Sequence, residues 1–259
     1  MSRIAIIAAM EREVKPLIRS WKMRMIERGG RRYRLFESGE SALICGGIGA
    51  EAARRATEAM IGEVNPQLVI SVGFAGALDG SLQVGHILEP HAVINASDGV
   101  RTELGSGQGI LLSSSALADK EQKSRFRKVY GASAVDMEAA AVAQGAQARG
   151  VGFGAIKAIS DGADFTLPVI DGFVTDDGSF RFVKFAIYVA VRPWLWAATV
   201  TLARNSSRAS RVLCDALGSY INRPALDGRI PNGQTPDGQT RSPAASPDES
   251  SRPELNQNQ

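Results

Sequence analysis

The chain has 259 residues, 44% of them hydrophobic and 22% charged, which is typical of a globular protein with one sizeable core. The formal net charge of +3 comes from scattered basic residues with few aromatic ones among them, so we expect no nucleic-acid partner. Two cysteines and two histidines match no disulfide or metal spacing. We therefore expect no cofactor and no metal, and, without a signal-peptide pattern, a cytoplasmic protein.

Short apolar segments alternate with helical patterns along the first two thirds of the chain. Strands are predicted over residues 3–9, 67–73, 86–94, 109–113 and 151–160, and hairpin strands within 23–45, with turns near Gly29 and Gly39. Helices are predicted over residues 11–21, 49–64 and 137–149. This alternation predicts an α/β fold, a single domain with a mixed central β-sheet flanked by helices, over residues 1–222.

The C-terminal third begins with an apolar helical region and ends in a polar tail. A helix is predicted over residues 180–220, broken at Arg192 and Pro193, and its part 182–203 is very apolar but too short on either side of the break to span a bilayer. It either packs on the sheet or makes a peripheral contact with a membrane or lipid. Residues 223–259 are rich in Pro, Gly, Ser, Asn and Gln, which predicts a disordered tail.

A glycine motif follows the predicted hairpin strands. Gly47, Gly49 and Ala52 match the GxGxxG/A spacing of dinucleotide-binding loops, between a strand and a helix. Such a site also requires an acidic residue at the end of the next strand, where this chain has Gly73 and Phe74. The glycines are better explained as positions where the backbone approaches a ligand closely.

Acidic residues follow three of the predicted elements. Glu11 and Glu13 come after the first strand, Asp161 follows a late strand, and Asp136 and Glu138 precede the alanine-rich helix. Each alone is readily explained as a helix cap or a solvated charge. Because ligands of α/β sheets bind at the carboxyl ends of the strands, the three groups together predict a site there.

The order of several short motifs resembles that of 5′-methylthioadenosine/S-adenosylhomocysteine nucleosidases, within the purine nucleoside phosphorylase superfamily. The motifs occupy residues 9–14, 47–49, 73–78, 84–85, 134–139 and 158–161. The resemblance implies a nucleoside phosphorylase-like fold, a homodimer and a purine nucleoside as the small-molecule substrate. It implies two catalytic residues, Glu13 as the base that activates water and Asp161 as the acid that supports protonation of adenine N7.

The resemblance also implies how the nucleoside is bound. Glu138 would hold the ribose hydroxyls, Met137 would pack against the sugar, and Met10 and Ile48 would line the 5′ end. The complete set of substrate-binding residues that we expect is Met10, Ile48, Phe74, Ala75, Gly76, Leu117, Met137, Glu138, Lys157 and Ser160.

The chemistry favours such an arrangement on its own terms. Cleavage of a C–N glycosidic bond develops positive charge on the ribose, and adenine leaves readily only when a proton reaches it. A base on the opposite face must deprotonate water. Because a carboxylate at the first loop would repel phosphate, Glu13 favours hydrolysis over the phosphorolysis that other superfamily members catalyse.

The chain departs from the nucleosidase pattern at three positions. Phe74 replaces a small hydroxyl residue, Lys157 replaces an arginine, and Leu117 replaces a phenylalanine that stacks on adenine. The segment 94–109 is also shorter. A second, looser resemblance, to nucleosidases of hopanoid lipid biosynthesis, covers residues 163–168, 177–180 and the apolar helix. The alternatives to the adenosine-type hydrolase are therefore a nucleosidase or phosphorylase acting on a lipid-linked adenosyl compound, and an inactive nucleoside-binding protein.

Overall fold

The computed structural model describes residues 3–165, 173, 175, 178, 181, 184, 188, 189 and 192–222. This part of the chain forms one mixed sheet of eleven strands with helices on both faces. The strands are β1 (Ile4–Ala8), β2 (Lys22–Arg28), β3 (Arg31–Ser38), β4 (Ser41–Cys45), β5 (Leu68–Ala77), β6 (Ile87–Leu88), β7 (Ala92–Asn95), β8 (Arg101–Glu103), β9 (Ile110–Ser113), β10 (Ala134–Asp136) and β11 (Gly152–Asp161). The helices are α1 (Glu11–Ile18), α2 (Ala50–Val64), α3 (Lys120–Tyr130), α4 (Ala139–Gln147) and α5 (Trp196–Ile221).

Strand β5 is the centre of the sheet. Along most of its length it pairs in parallel with β1 on one side and β11 on the other, and β1 pairs in parallel with β4. Beyond the end of β1, Gly76 and Ala77 pair with the antiparallel strand β10, while Gly76 also pairs with Asp161 of β11. The carboxyl ends of β4, β1, β5 and β11 therefore lie at one edge of the sheet, and β10 meets them there.

The helices cover the sheet with two apolar layers. Alanine-rich α2 and α4 pack on one face, in a cluster that includes Met60 and Val142, and the small alanine side chains allow the two helices to approach closely. On the other face α1 and α5 pack together and contribute Val14 and Leu213 to a second cluster. The predicted single-domain fold, a mixed sheet flanked by helices, is confirmed.

Several predicted boundaries change. The strand predicted over 86–94 is two strands, β6 and β7, because Pro90 between them has no N–H to donate to a ladder. Strand β5 runs to Ala77 rather than ending at Gly73. Helix α3 and the short strands β8 and β10 were not expected, since the sequence of α3 is strongly polar.

The C-terminal region is described only in part. A 3₁₀ turn (Pro193–Leu195) leads into α5, so the predicted break at Arg192 and Pro193 is present. Most of the 182–191 half of the apolar segment and the whole 223–259 tail lie outside the described residues, and the domain boundary at 222 stays a prediction. No helix within the described ranges is both long and apolar enough to cross a membrane.

Candidate active site

Glu13 is held at the carboxyl end of β1 by backbone on both sides. The chain leaves β1 through Met10, whose N–H donates to Glu13 Oε2 at 3.1 Å. Gly73 of β5 lies directly against the carboxylate, since a Cβ at that position would be 3.2 Å from Oε2. Gly73 also has φ +146°, a conformation that L side chains rarely adopt. The backbone conformation therefore favours glycine here, and a Cβ would also crowd the carboxylate.

Helix α5 fixes the helix that carries Glu13. Ser210 Oγ donates to the carbonyl of Arg12 at 3.2 Å, and Cys214 Sγ donates to the carbonyl of Glu13 at 3.7 Å. Glu13 itself is only 3% exposed. Burial raises the pKa of its carboxyl, although the Met10 amide and the nearby Lys157 ammonium act in the opposite direction. A carboxylate with a raised pKa is a stronger base near neutral pH.

Asp161 ends β11 beside a bulge. The pairing of β11 with β5 shifts register between Ile159 and Asp161, which turns the Asp161 side chain towards Gly76. Ser160 Oγ donates to Asp161 Oδ1 at 2.7 Å, and Lys123 Nζ forms an ion pair with Oδ2 at 2.5 Å. A Cβ at Gly76 would be 2.9 Å from Oδ2, so this carboxylate also requires a glycine of β5.

Glu138 joins two loops at the same edge of the sheet. It lies between β10 and α4, and its Oε1 accepts the Gly49 N–H at 2.7 Å while Oε2 accepts the Met137 N–H at 3.2 Å. Burial, with a further contribution from the neighbouring Asp136 carboxylate, raises the pKa of Glu138 to about 7. At neutral pH its proton is therefore readily gained or lost.

A second buried ion pair lies beneath these groups. Lys157 Nζ pairs with Asp136 Oδ2 at 2.9 Å and donates to Ser71 Oγ at 3.0 Å, with both charged side chains at most 1% exposed. Asp136 also accepts from Ser113 Oγ at 2.6 Å and from the Ala139 N–H at 2.9 Å. The Lys157 ammonium lowers the pKa of both Glu13 and Glu138, so it lies near both carboxylates.

The two predicted catalytic carboxylates, on α1 and β11, contact the same strand, β5. Glu13 contacts Gly73 and Asp161 contacts Gly76, and these glycines are separated by roughly 10 Å along β5 at the usual rise per residue. The charge of Glu13 is close enough to Glu138 to raise the pKa of the Glu138 carboxyl. Glu13 and Asp161 thus both contact the carboxyl half of β5, and the charge of Glu13 reaches Glu138.

Comparison with known proteins decides the family. The family model of the phosphorylase superfamily matches residues 3–121 and 105–180. The chain belongs to the phosphorylase superfamily. A 5′-methylthioadenosine/S-adenosylhomocysteine nucleosidase from Glaesserella parasuis is 28% identical over 201 residues, which cover 62% of this chain and 86% of that protein. The predicted resemblance is thereby confirmed, and this superfamily member is an enzyme.

Solved structures show the same fold at lower sequence identity. Futalosine hydrolase of Helicobacter pylori aligns with a TM-score of 0.64 at 19% identity, covering 85% of this chain and 97% of that one. A 5′-methylthioadenosine/S-adenosylhomocysteine nucleosidase from Colwellia psychrerythraea, solved in complex with adenine, aligns with a TM-score of 0.62 at 19% identity, covering 84% and 95%. The nucleoside phosphorylase-like fold is confirmed.

The remaining predicted site residues of this superfamily member lie around the carboxylates. Met10 and Met137 are half-buried and adjoin Glu13 and Glu138. Ile48 is half-buried, and its N–H donates to the Gly178 carbonyl at 2.8 Å. Ala75 is buried beside Ser160, and Leu117 is half-buried on the loop that leads into α3. Contacts of these residues with a substrate stay predictions.

The dinucleotide alternative is disfavoured by the position of Glu138. In a dinucleotide fold the amides at the start of the helix after the glycine loop bind a pyrophosphate. Here the Gly49 amide at the start of α2 binds the Glu138 carboxylate, and the Gly178 carbonyl faces the Ile48 amide. A phosphate would have to displace both groups. The glycines of this loop instead bring the backbone close to Glu138.

A cleft of about 670 Å³ opens beside the site, between α1 and α5. Phe74 lies at one end of it, where the nucleosidase pattern has a small hydroxyl residue. The three carboxylates do not line this cleft, which therefore adjoins the predicted sugar position without containing it. Its basic lining comes from Arg12, Lys15, Arg19 and Arg211.

Two charged residues at the site were not assigned from the sequence. The sequence marks Asp136 only as one of several acids, and its role as the partner of Lys157 depends on the pairing of β5 with both β10 and β11. Lys123 lies in a polar segment with several other basic residues. No local signal distinguishes it from its solvated neighbours, and its burial is visible only in the folded chain.

Proposed function

We propose that this enzyme hydrolyses the N-glycosidic bond of an adenosine-type nucleoside and releases adenine. The proposal is supported by three carboxyl groups, Glu13, Glu138 and Asp161, which converge on the edge of the sheet at β5. Proteins similar to this chain are named as nucleosidases of 5′-methylthioadenosine and S-adenosylhomocysteine, which extends the proposal to this substrate class.

In the proposed mechanism the carboxyl groups act on different parts of the substrate. Glu13 accepts a proton from a water molecule that attacks C1′, for which its raised pKa is suitable. Glu138 accepts hydrogen bonds from the ribose hydroxyls, and its charge stabilises the cationic sugar of the transition state. Asp161 assists the departure of the base by hydrogen bonding to the purine ring. Met137 packs against the sugar, and Leu117 covers the base.

The observation that carries hydrolysis rather than phosphorolysis is the buried carboxylate of Glu13 against Gly73. A phosphate dianion at this end of β1 would meet that carboxylate in a region of low dielectric, where like charges repel strongly. The N-terminus of α2, which could otherwise bind an anion, already binds Glu138. Water, which is neutral and donates hydrogen bonds, suits the same position.

A second candidate is a substrate with a large 5′ substituent, such as a lipid-linked adenosyl compound. It is favoured by the open cleft between α1 and α5 next to Phe74. A structural neighbour with the same fold is named for a different substrate, futalosine, so the fold by itself does not fix the substrate. We propose that Met10 and Ile48 line the start of that path.

Two further features are proposed with this function. Trp194 and Trp196 are 73% and 52% exposed at the start of α5, as is typical of side chains that reach a membrane interface. Flotation with vesicles tests this contact, and loss of binding on Trp194→Ala would support it.

A homodimer is proposed because β2 is an edge strand that exposes Met23 and Met25. Light scattering in solution tests that state.

The experiment for the proposed function is a panel of adenosyl compounds with and without inorganic phosphate. We expect adenine and a free sugar from 5′-methylthioadenosine or S-adenosylhomocysteine at a rate that phosphate does not change. A requirement for phosphate, with ribose 1-phosphate as the product, would identify a phosphorylase. Tight binding without turnover of any compound would identify an inactive nucleoside-binding protein.

A further inference from the structure

Helix α3 has one fully buried residue, and that residue is a lysine. Lys123 is 2% exposed, whereas the basic residues around it on the helix, such as Lys120 and Arg125, are exposed. A surface helix ordinarily buries apolar side chains, and an ammonium group is costly to remove from water unless it is fully paired. The burial of Lys123 therefore needs an explanation that a solvated helix face does not provide.

The ammonium group of Lys123 has three protons and three acceptors. Nζ donates to Asp161 Oδ2 at 2.5 Å, to the Gly162 carbonyl at 2.8 Å and to the Phe165 carbonyl at 3.2 Å. Its Cε lies against Gly76, where a Cβ would be 3.4 Å away. The same glycine thus makes room for both members of the ion pair, and the pair is built into the end of β5 and β11.

We propose that Lys123 is the positioning residue through which Asp161 delivers a proton to the departing base. The inference rests on the proposed function. Lys123 and Asp161 form an ion pair, and a carboxylate by itself has no proton to give. A purine cannot leave readily as an anion, so the Lys123 ammonium is the local source of the proton that Asp161 must pass on.

The proton and electron balance of the step is complete. As the C1′–N9 bond breaks, its electron pair goes to the purine; one proton moves from Nζ to the Asp161 carboxylate and from there to the purine ring nitrogen. Lys123 becomes a neutral amine, whose two remaining N–H groups match the two carbonyls of Gly162 and Phe165. Water attacks C1′ and gives a proton to Glu13. Glu13 then releases this proton to solvent and Lys123 takes one up from solvent, which restores the starting state.

A leaving group that needs no proton separates this role from a merely structural one. The variants are Lys123→Met, which keeps the length of the side chain, and Lys120→Met as the control, since Lys120 is exposed on the same helix and pairs with the exposed Asp164. Each is assayed on 5′-methylthioadenosine and on 4-nitrophenyl β-D-ribofuranoside, whose nitrophenolate leaves without protonation.

We expect Lys123→Met to lower kcat for the nucleoside about 10²–10⁴-fold, as for loss of general acid catalysis, with KM changed only a few-fold. Its kcat for the nitrophenyl riboside should fall less than about tenfold, because that reaction needs no acid. Lys120→Met should leave both rates unchanged. Equal losses of kcat on the two substrates would overturn the proposal. A faster reaction of Lys123→Met with the nucleoside would also overturn it, because it would mean that Lys123 hinders departure of the purine.

A double variant guards against misfolding, since Lys123→Met leaves Asp161 buried without its partner. Lys123→Met combined with Asp161→Asn removes both charges. If Lys123 acts through Asp161, the double variant should be no slower on the nucleoside than Asp161→Asn alone, and additive losses would contradict this. A wild type that cleaves the nitrophenyl riboside but no nucleoside would overturn the proposed function and this inference with it. A wild type active on nucleosides with equal variant losses overturns the inference alone.

Discussion

Glu13 combines burial, a raised pKa and contact with β5, and these properties suit a base that activates water. Replacing its carboxylate in Glu13→Gln keeps the shape but removes the proton acceptor. We expect kcat for adenine release to fall about 10²–10⁴-fold. Nucleoside affinity, measured by calorimetry, should change little.

Glu11 provides the matched control on the same helix turn. It is partly exposed and pairs with Arg34 at 2.7 Å, away from β5. Glu11→Gln should retain wild-type turnover. Equal effects of the two substitutions would mean that general loss of negative charge on α1, rather than proton transfer at Glu13, accounts for the result.

Glu138 should make stability depend on pH. Its pKa is raised to about 7 in the folded protein from the ordinary value of 4.5, so folding favours its protonated form. The stabilisation is complete below the unfolded value and is lost as pH rises through about 7. Glu138→Gln removes this pH-dependent loss of stability, because glutamine does not ionise. The pKa shift corresponds to about 3 kcal/mol, and about 1 kcal/mol moves the melting temperature of a chain of this size by roughly 2–4 °C. At pH about 8 the variant should therefore melt roughly 7–14 °C above the wild type, and at pH about 4 the two should coincide.

The sign of that difference is the critical observation. If Glu138→Gln melted below the wild type by the same amount at both pH values, that result would contradict a raised pKa for Glu138. Enzymatic turnover should nevertheless be lost in Glu138→Gln, because the neutral amide cannot stabilise a cationic sugar as a carboxylate does. Greater stability with less activity is the combination expected of a functional carboxylate held among neighbouring negative charge.

The residues differ in how far the sequence alone could identify them. Glu13, Glu138 and Asp161 each follow or precede a recognisable element, so the general rule on strand ends points to them. Lys123 and Asp136 could not be found in this way, because their burial results from contacts between elements distant in sequence. The partner of Asp161, in particular, comes from a helix whose polar sequence gave no sign that it covers the site.

At the scale of elements, β5 is the platform of the site, and its glycines set the positions of the carboxyl groups. Gly73→Ala would place a methyl group 3.2 Å from Glu13 Oε2 and strain the backbone at φ +146°. Because small displacements of a catalytic group can cost about 10²-fold in rate, we expect a fall in kcat of that order.

Gly30→Ala is the matched control for backbone strain. Gly30 also has a positive φ, +71°, but lies in the β2–β3 turn with nothing within 4 Å of an added Cβ. It should lower the melting temperature without changing turnover. If the two glycine variants lost stability alike and Gly73→Ala kept full activity, contact between β5 and Glu13 would not matter for catalysis.

The Lys157–Asp136 pair connects β11 to the junction of β10 and α4. Lys157→Met leaves Asp136 buried without its counter-charge, which typically costs about 3–5 kcal/mol in the free energy of unfolding. Combining it with Asp136→Asn removes both charges, keeps an acceptor for the buried Ser113 hydroxyl and Ala139 N–H, and should recover most of that loss. Denaturant unfolding measures both variants. If Lys157→Met alone were as stable as the wild type, the ion pair would contribute little to the stability of the fold.

Elements with a strong local pattern were predictable, and the others depend on their surroundings. Strand β1 and helix α2 have clear apolar periodicity and were found near their observed bounds. Strand β5 extends past Gly73 because β10 pairs with Gly76 and Ala77, a contact that no local pattern contains. Helix α3 has few apolar residues, so its helical conformation could not be distinguished from a polar loop.

At the scale of the whole molecule, the site depends on every layer of the fold. Parallel strands bring Glu13 and Asp161 to one edge, α5 holds α1 from outside, and α3 supplies the partner of Asp161. The connection between Gly49 and Glu138 joins the two halves of the sheet. A single cooperative unit of this kind explains why residues far apart in sequence are arranged around one predicted sugar position.

A crystal structure of Asp161→Asn with intact 5′-methylthioadenosine bound would test the central claim most directly. The account predicts that the ribose C1′ lies between the side chains of residues 13 and 161. Glu13 and a water molecule should be on one face of the sugar, and the side chain at position 161 should be about 3 Å from the purine ring, within hydrogen-bonding distance. The Glu138 carboxylate should contact the ribose hydroxyls. A nucleoside bound elsewhere, or one that reaches only one of the two carboxyl positions, would contradict it.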